Sequence, residues 1–384
     1  MPSAPLYFDY AATTPVDDRV IETMLSCLGR QVNFGNPASS GHLFGQAARE
    51  VVEQARRQVA ERVNANPEDI IWTSGATESN NLALKGIAQG WGQPGHLITS
   101  QLEHKAVLDT VSELERHGWA VTRLAPDETG LIQPYAVQAA LRPDTRLVSL
   151  MAVNNELGTV TDVAAIAERV RAHGALLHVD AAQAVGKLGI DLRAMAVDLM
   201  SFSAHKVYGP KGIGALYVGP HARPLMRAQI HGGGHERGLR SGTLPTHQIV
   251  GMGSAFALAG EPGDQEHQRI ERLSRRLHEG LLSLPGVSLN GDARQRVAHT
   301  LNLLIAVDGF NSAALGSELA LSTTSACNSA SSAASHVLLA LGLDEPRARQ
   351  SVRLSIGRFT TEAEVEAAIG VLQRACTAAA GALW

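Results

Sequence analysis

Three cysteines in 384 residues, Cys27, Cys327 and Cys376, are too few and too scattered for a disulfide framework or a metal-ligand cluster. Long apolar runs are also missing. The longest weakly polar stretch, Ile249 to Gly260, holds 12 residues rich in Gly, Ala and Ser, too short to span a bilayer. Residues Met1 to Tyr10 carry neither the basic flank nor the apolar core of a secretory signal. No excess of one charge exists either: the formal net charge is −4, which excludes a surface built for nucleic acid or an anionic membrane. Lysine is scarce, five against 28 arginines, so any lysine chemistry has five candidates. Glycine and proline, at 37 and 16, are ordinary and exclude collagen-like and disordered chains. The expectation is a soluble, cytoplasmic, metal-free protein of two domains.

What is present is an α/β alternation. Short apolar runs at 70–73, 96–99, 147–151, 175–179, 199–202 and 213–218 read as buried strands, with helical patterns between the first five. The last two are joined by a loop, which predicts an antiparallel pair. The pattern breaks near Gly260. A charged helix from Glu266 to Leu282, a strand, a Ser-rich stretch and a final helix follow. These signals divide the chain into a large domain over 15–255 and a smaller one over 256–384, onto which 1–14 folds back.

Chemistry concentrates at the ends of three predicted strands. Asp180 ends the run Ala175 to Asp180, where an α/β sheet presents groups to a ligand crevice, although a helix cap is the better explanation of it in isolation. The next strand runs into Ser203-Ala204-His205-Lys206 and then a glycine-rich turn. A lysine held there is costly to keep charged, and a lowered pKa is what a Schiff-base lysine needs. Lys211, the competitor, lies in a turn between Pro210 and Gly212. An acid for a pyridinium nitrogen and a lysine for an aldehyde are the two anchors of pyridoxal phosphate chemistry. The third strand end, Thr73-Ser74-Gly75-Ala76-Thr77-Glu78, opens a helix and offers backbone N–H groups to a phosphate, with an ordinary capping box as the bland reading.

Many further motifs fall in order along the chain: Tyr7 to Pro15, Phe34 to His42, Thr73 to Asn81, Glu103 to Val107, Val153 to Gly158, His178 to Gln183, Ser201 to Lys206, His231 to Thr243, Ser325 to Cys327 and Val352 to Phe359. Over nearly its whole length the sequence resembles the pyridoxal-phosphate cysteine desulfurases of the NifS/IscS-like group. The resemblance implies an α/β fold-type I transferase. Its large domain has a mostly parallel seven-stranded sheet, and its smaller C-terminal domain is α+β and carries the catalytic cysteine. It implies pyridoxal 5'-phosphate bound covalently by Lys206, with Asp180 on the ring nitrogen, Gln183 at the ring phenolate oxygen and His104 stacked on the ring. Ala76, Thr77, Ser203 and His205 would hold the phosphate, joined by Thr243 from the other subunit of a homodimer. Asn155 would lie over the ring and Arg353 would clamp the carboxylate of L-cysteine. Cys327 would take the sulfur as a persulfide and pass it to an acceptor protein in iron–sulfur assembly, tRNA thiolation or DNA phosphorothioation, without touching nucleic acid or a membrane. A selenocysteine lyase, a sulfinate-acting relative, a plain aminotransferase and a non-catalytic sulfur-transfer scaffold are the rival readings.

The cysteines sort independently of that likeness. Cys376 continues the helical stripe Val365, Ile369, Leu372, and Cys27 follows Val20, Met24 and Leu25, so both read as packing. Cys327 alone lies in a polar stretch, Ser322 to Ser335. Two departures from the family stand out: Thr324 replaces a glycine, which predicts a stiffer cysteine segment, and Ala204 replaces the glycine before His205.

Overall fold

The computed structural model describes residues 5–30, 32–323 and 334–381. Cys327, Thr324 and the expectations attached to that segment lie outside them. The central sheet has seven strands: β1 (Ile70–Thr73), β2 (His96–Ser100), β3 (Ala120–Leu124), β4 (Thr145–Met151), β5 (Leu176–Asp180), β6 (Leu199–Ser203) and β7 (Gly214–Val218). Their spatial order is β1-β7-β6-β5-β4-β2-β3, and β7 alone runs against the other six. The antiparallel pair expected at the end of the strand series is thus β6 with β7. Sequence reading had passed over β3. That strand forms a half-buried edge, and Thr122 and Arg123 interrupt its apolar run.

Alternation along the strands makes two cores. Trp72, Ile98, Val148, Leu150, Val179, Met200 and Phe202 face one side; Ile71, Leu97, Leu147, Leu176, Leu199 and Leu216 face the other. Helices cover both faces, which is why these strands read as continuous apolar runs. Two of the helices, Leu43–Arg62 and Thr246–Ala257, approach so closely that a Cβ on Gly253 would lie 2.6 Å from the Ala55 Cα.

A third core joins Phe8 with Ile270, Leu273, Leu277, Leu303, Leu354 and Leu372. It lies under an antiparallel four-stranded sheet ordered Ser322–Thr323, Ser351–Ser355, Thr300–Ile305 and Val287–Leu289. The sequence shows only one strand here: Ser322–Thr323 and Val287–Leu289 are too short for a period to emerge, and Ser351, Arg353 and Ser355 make the buried strand Ser351–Ser355 read as polar. Leu6–Tyr7 pairs in parallel with Leu319–Ala320, tying the N-terminal segment to this part of the chain. Cys376 is buried on the helix Glu362–Gly381; Cys27 is buried just past the helix Asp18–Leu25.

Candidate active site

Five strand ends converge on one cavity of about 490 Å³. All five belong to parallel strands, so their C-terminal ends meet where an α/β sheet binds ligands. Among its lining residues are Ala76, Thr77, His104, Asn155, Asp180, Gln183, Ser203, His205, Lys206 and Arg353. Lys211, the competing lysine, is exposed at the rim beside Gly212. Thr243 is exposed and lies apart from the cavity of its own chain.

Asp180 closes β5. One oxygen accepts from the Ala182 N–H at 3.0 Å, so the capping reading holds in part. The other accepts from Asn80 Nδ2 at 2.8 Å, a partner that capping does not explain. Beneath it His178 is clamped between Ser149 Oγ at 2.8 Å and Ser201 Oγ at 3.0 Å. Burial pushes the His178 pKa down to about 4, so it supports Asp180 as a neutral ring.

Lys206 lies in a single helical turn after β6. Its Nζ donates to the carbonyls of Ala11 at 2.6 Å and Ala12 at 2.7 Å. The same Ala11 oxygen accepts from Gln183 Nε2 at 2.7 Å. The N-terminal segment therefore forms one wall of the site.

The end of β1 is built as a cradle. Gly75, at φ 155°, caps the helix Ala76–Trp91, and space is open where its side chain would stand. The Ala76 and Thr77 N–H groups, in the first helical turn, have no carbonyl partner four residues back. Glu78 braces the turn, accepting from the Ser74 N–H at 2.8 Å and from Arg240 Nε at 2.9 Å. Opposite, Ser203 Oγ is buried without a hydrogen-bond partner among the described residues. His205 is held by Thr13 Oγ1 at 3.2 Å, and desolvation, then the neighbouring Lys206, pushes its pKa down to about 4.

His104 caps the helix Lys105–Arg116, its Nδ1 accepting from the Ala106 N–H at 3.1 Å. The bland helix-start reading is right as far as Nδ1 goes. Desolvation lowers its pKa, which keeps the ring neutral and its Nε2 available to the cavity. Arg353 is almost wholly buried and already engaged: Nη1 donates to the Asn155 carbonyl at 2.7 Å, and Nη2 donates to Asp9 Oδ1 at 2.8 Å and Ser322 Oγ at 2.7 Å. Its Nε has no partner among the described residues.

Sequence reasoning missed Asn80, Asp9, Glu103 and Lys187. Asn80 and Asp9 lie within matched motifs, but nothing in a sequence tells which long-range partner they meet. Glu103 is fully buried; its Oε1 accepts from Ser100 Oγ at 2.6 Å and from the Met151 N–H at 3.1 Å. Burial, followed by repulsion from Asp180, pushes its pKa up to about 8.

These residues fit pyridoxal phosphate. A buried hydroxyl with no partner among the described residues, an open glycine cradle, an acid and a lysine amine all line one cavity. Among the described residues no cluster of metal-ligating groups occurs.

The family model for aminotransferase class-V matches residues 6–368. Cysteine desulfurase IscS of Azotobacter vinelandii (strain DJ / ATCC BAA-1303) is 59% identical over 364 residues, 94% of this chain and 90% of that protein. A solved NifS-like protein superposes with a TM-score of 0.88 at 35% identity, covering 96% of this chain and 98% of that one. The structure described as SspA in complex with cysteine gives a TM-score of 0.83 at 41% identity, covering 92% and 99% of the two chains.

Proposed function

The chain belongs to the aminotransferase class-V family, and from that premise we infer that it is a pyridoxal-phosphate-dependent cysteine desulfurase. The observation that carries this reading is the convergence of Asp180, Lys206, His104 and the Ser74–Thr77 cradle on one cavity. Bound there, the cofactor supplies an electrophilic carbon for the substrate amine and a ring that draws electrons from its Cα. The residues do the rest. Asp180, fixed by Asn80 and the Ala182 amide, holds a proton on the ring nitrogen. Lys206 would hold the cofactor through its amine, and as a free amine it takes the substrate Cα proton. The main-chain carbonyls of Ala11 and Ala12 are its resting acceptors. Ser203 Oγ and the first-turn amides of Ala76 and Thr77 take the phosphate with His205, and Gln183 meets the phenolate oxygen.

The Nε edge of Arg353, beside Asn155, takes the L-cysteine carboxylate. Neutral His104 carries protons between substrate and solvent. Cys327 thiolate attacks the substrate sulfur and forms the S–S bond of a persulfide; the C–S bond breaks with its electron pair kept by Cβ, which takes a proton delivered by way of His104, and L-alanine leaves. Both ends of the stretch bearing Cys327 are fastened to residues at or next to the cavity lining: Ser322 to Arg353 and Asp9, and His336 to the carbonyl of Glu103, which precedes His104. That placement supports the cysteine's role. The division into residues 15–255 and 256–384 with 1–14 is supported by the separate core around Phe8.

The working unit is a homodimer in the cytoplasm, with a protein as sulfur acceptor and no direct contact with nucleic acid or membrane. Exposed Leu25, Leu28, Phe34, Leu43 and Phe44 supply an apolar surface for the second copy. No described helix is long and apolar enough to cross a membrane. The acceptor's pathway, whether iron–sulfur assembly, tRNA thiolation or DNA phosphorothioation, is read from its acceptor protein and not from this site.

The test is direct. Protein supplied with pyridoxal phosphate should show a visible absorbance band and release alanine from cysteine, and Lys206→Ala should lose both. After brief exposure to cysteine, mass spectrometry should find an addition of about 32 Da, one sulfur atom, on Cys327. The same addition on Cys27 or Cys376 instead would refute the assignment of the nucleophile.

A further inference from the structure

Four residues beyond Gln183, on the side away from the substrate cavity, is a second lysine that the reaction above does not use. Lys187 Nζ donates to Gln183 Oε1 at 2.6 Å, and Gln183 Nε2 donates to the Ala11 carbonyl at 2.7 Å. Gln183 itself is buried and lines the substrate cavity; Lys187 does not. Instead, Lys187 and Lys206 line a separate cavity of about 20 Å³, room for one water. Among the described residues, the charged and titratable groups around Lys187 are Lys206 and Arg353, which repel its charge, and Tyr10, His299, Glu266, Arg358 and Tyr208 across that cavity. Desolvation, then Lys206, pushes the Lys187 pKa down to about 7.

A carboxamide can turn over in its pocket, because its oxygen and nitrogen have nearly the same shape. The two orientations are chemically opposite: one offers an N–H to the cavity, the other a lone pair. Below a pH of about 7 Lys187 is an ammonium, with three donors and no acceptor, and can pair only with the amide oxygen. A charge-assisted bond is about twice as strong as a neutral one. Resting on the cofactor reading above, we propose that Lys187 is a positioning residue that, together with the Ala11 carbonyl, locks the Gln183 amide with its nitrogen toward the cofactor. A phenolate oxygen meeting that nitrogen is stabilised as the anion. Meeting the flipped amide's oxygen, it would be repelled.

The readout is the pH titration of the bound cofactor's visible absorbance. Lys187→Met removes the partner of the amide oxygen and leaves the Ala11 carbonyl as the remaining contact that orients the amide, and the titration midpoint should rise by up to about one pH unit, since a weakened donor to the anion disfavours the deprotonated form. Lys187→Arg keeps the donor and should restore the wild-type midpoint. In a Gln183→Leu background, Lys187→Met should add nothing further. An additive shift there, which a through-space charge would produce, overturns the proposal. Gln183→Glu keeps the Lys187 contact but offers the cavity only oxygen, so its midpoint should also rise. An unchanged midpoint in Gln183→Glu overturns the proposal even where Lys187→Met does not fold. A wild type with no visible band overturns the cofactor reading and the proposal together. A wild-type band that titrates identically in folded Lys187→Met overturns the proposal alone.

Discussion

At Asp180, each carboxylate oxygen has one protein donor and keeps a lone pair for a ring nitrogen. Asp180→Ala removes that acceptor and should cost on the order of 1.5–3 kcal/mol of transition-state stabilisation, as a charge-assisted hydrogen bond would. Steady-state alanine release at saturating cofactor measures it, and normal turnover would leave only the capping role. Glu103 poses the reverse problem, a buried carboxyl with no cation acting on it among the described residues. Its folded pKa of about 8 lies above the unfolded value, so the folded state keeps a proton that the unfolded chain has lost. Stability should therefore fall as pH rises from about 4.5 to 8, by on the order of a few kcal/mol, and level off above that. Glu103→Gln has no proton to lose and should flatten this part of the profile. Urea midpoints across that range are the check, and parallel profiles for the two proteins would contradict the assignment.

Among the elements, β7 decides how closely the phosphate cradle can be built. A Cβ on Gly214 would come within 2.5 Å of the Phe202 carbonyl and 2.6 Å of the Gly75 Cα. Gly214→Ala should push the Ser74–Gly75 turn out of place, with an overpacking cost of about 1–3 kcal/mol and weaker retention of pyridoxal phosphate. Gly189→Ala, with nothing within 4 Å of the added carbon, is the control that should change neither melting temperature nor cofactor retention. The same elements show what was legible in the sequence. Buried strands with unbroken apolar runs, such as 147–151 and 199–202, announce themselves, whereas the edge strand Ala120–Leu124 alternates too weakly. Asp180 and Lys206 could be found because strand ends followed by odd polar groups are conspicuous. Asn80, Asp9 and Lys187 could not, since their roles come from partners that only the folded sheet and the N-terminal segment bring near.

For the whole molecule, Thr243 separates a one-chain from a two-chain site. It is exposed and away from its own cavity, and its expected place is the partner's phosphate. Lys206→Ala and Thr243→Ala proteins should each be impaired as homodimers. After unfolding and refolding together, the mixed dimers should regain activity, because one of their two sites then holds both native residues. Size-exclusion chromatography with alanine assays on the mixture would settle it; failure to complement would assign Thr243 to its own chain.

The reversed strand also sets a timetable. β1 is an edge strand whose only neighbour in the sheet among the described residues is β7, and some 140 residues of chain separate the two. During synthesis the first half of the phosphate cradle thus emerges long before the strand that can hold it. Until residue 218 has cleared the ribosome, β1 has no place in the sheet. Cofactor capture is consequently a late event in the life of the nascent chain, and truncated products ending before β7 cannot sequester pyridoxal phosphate at this site.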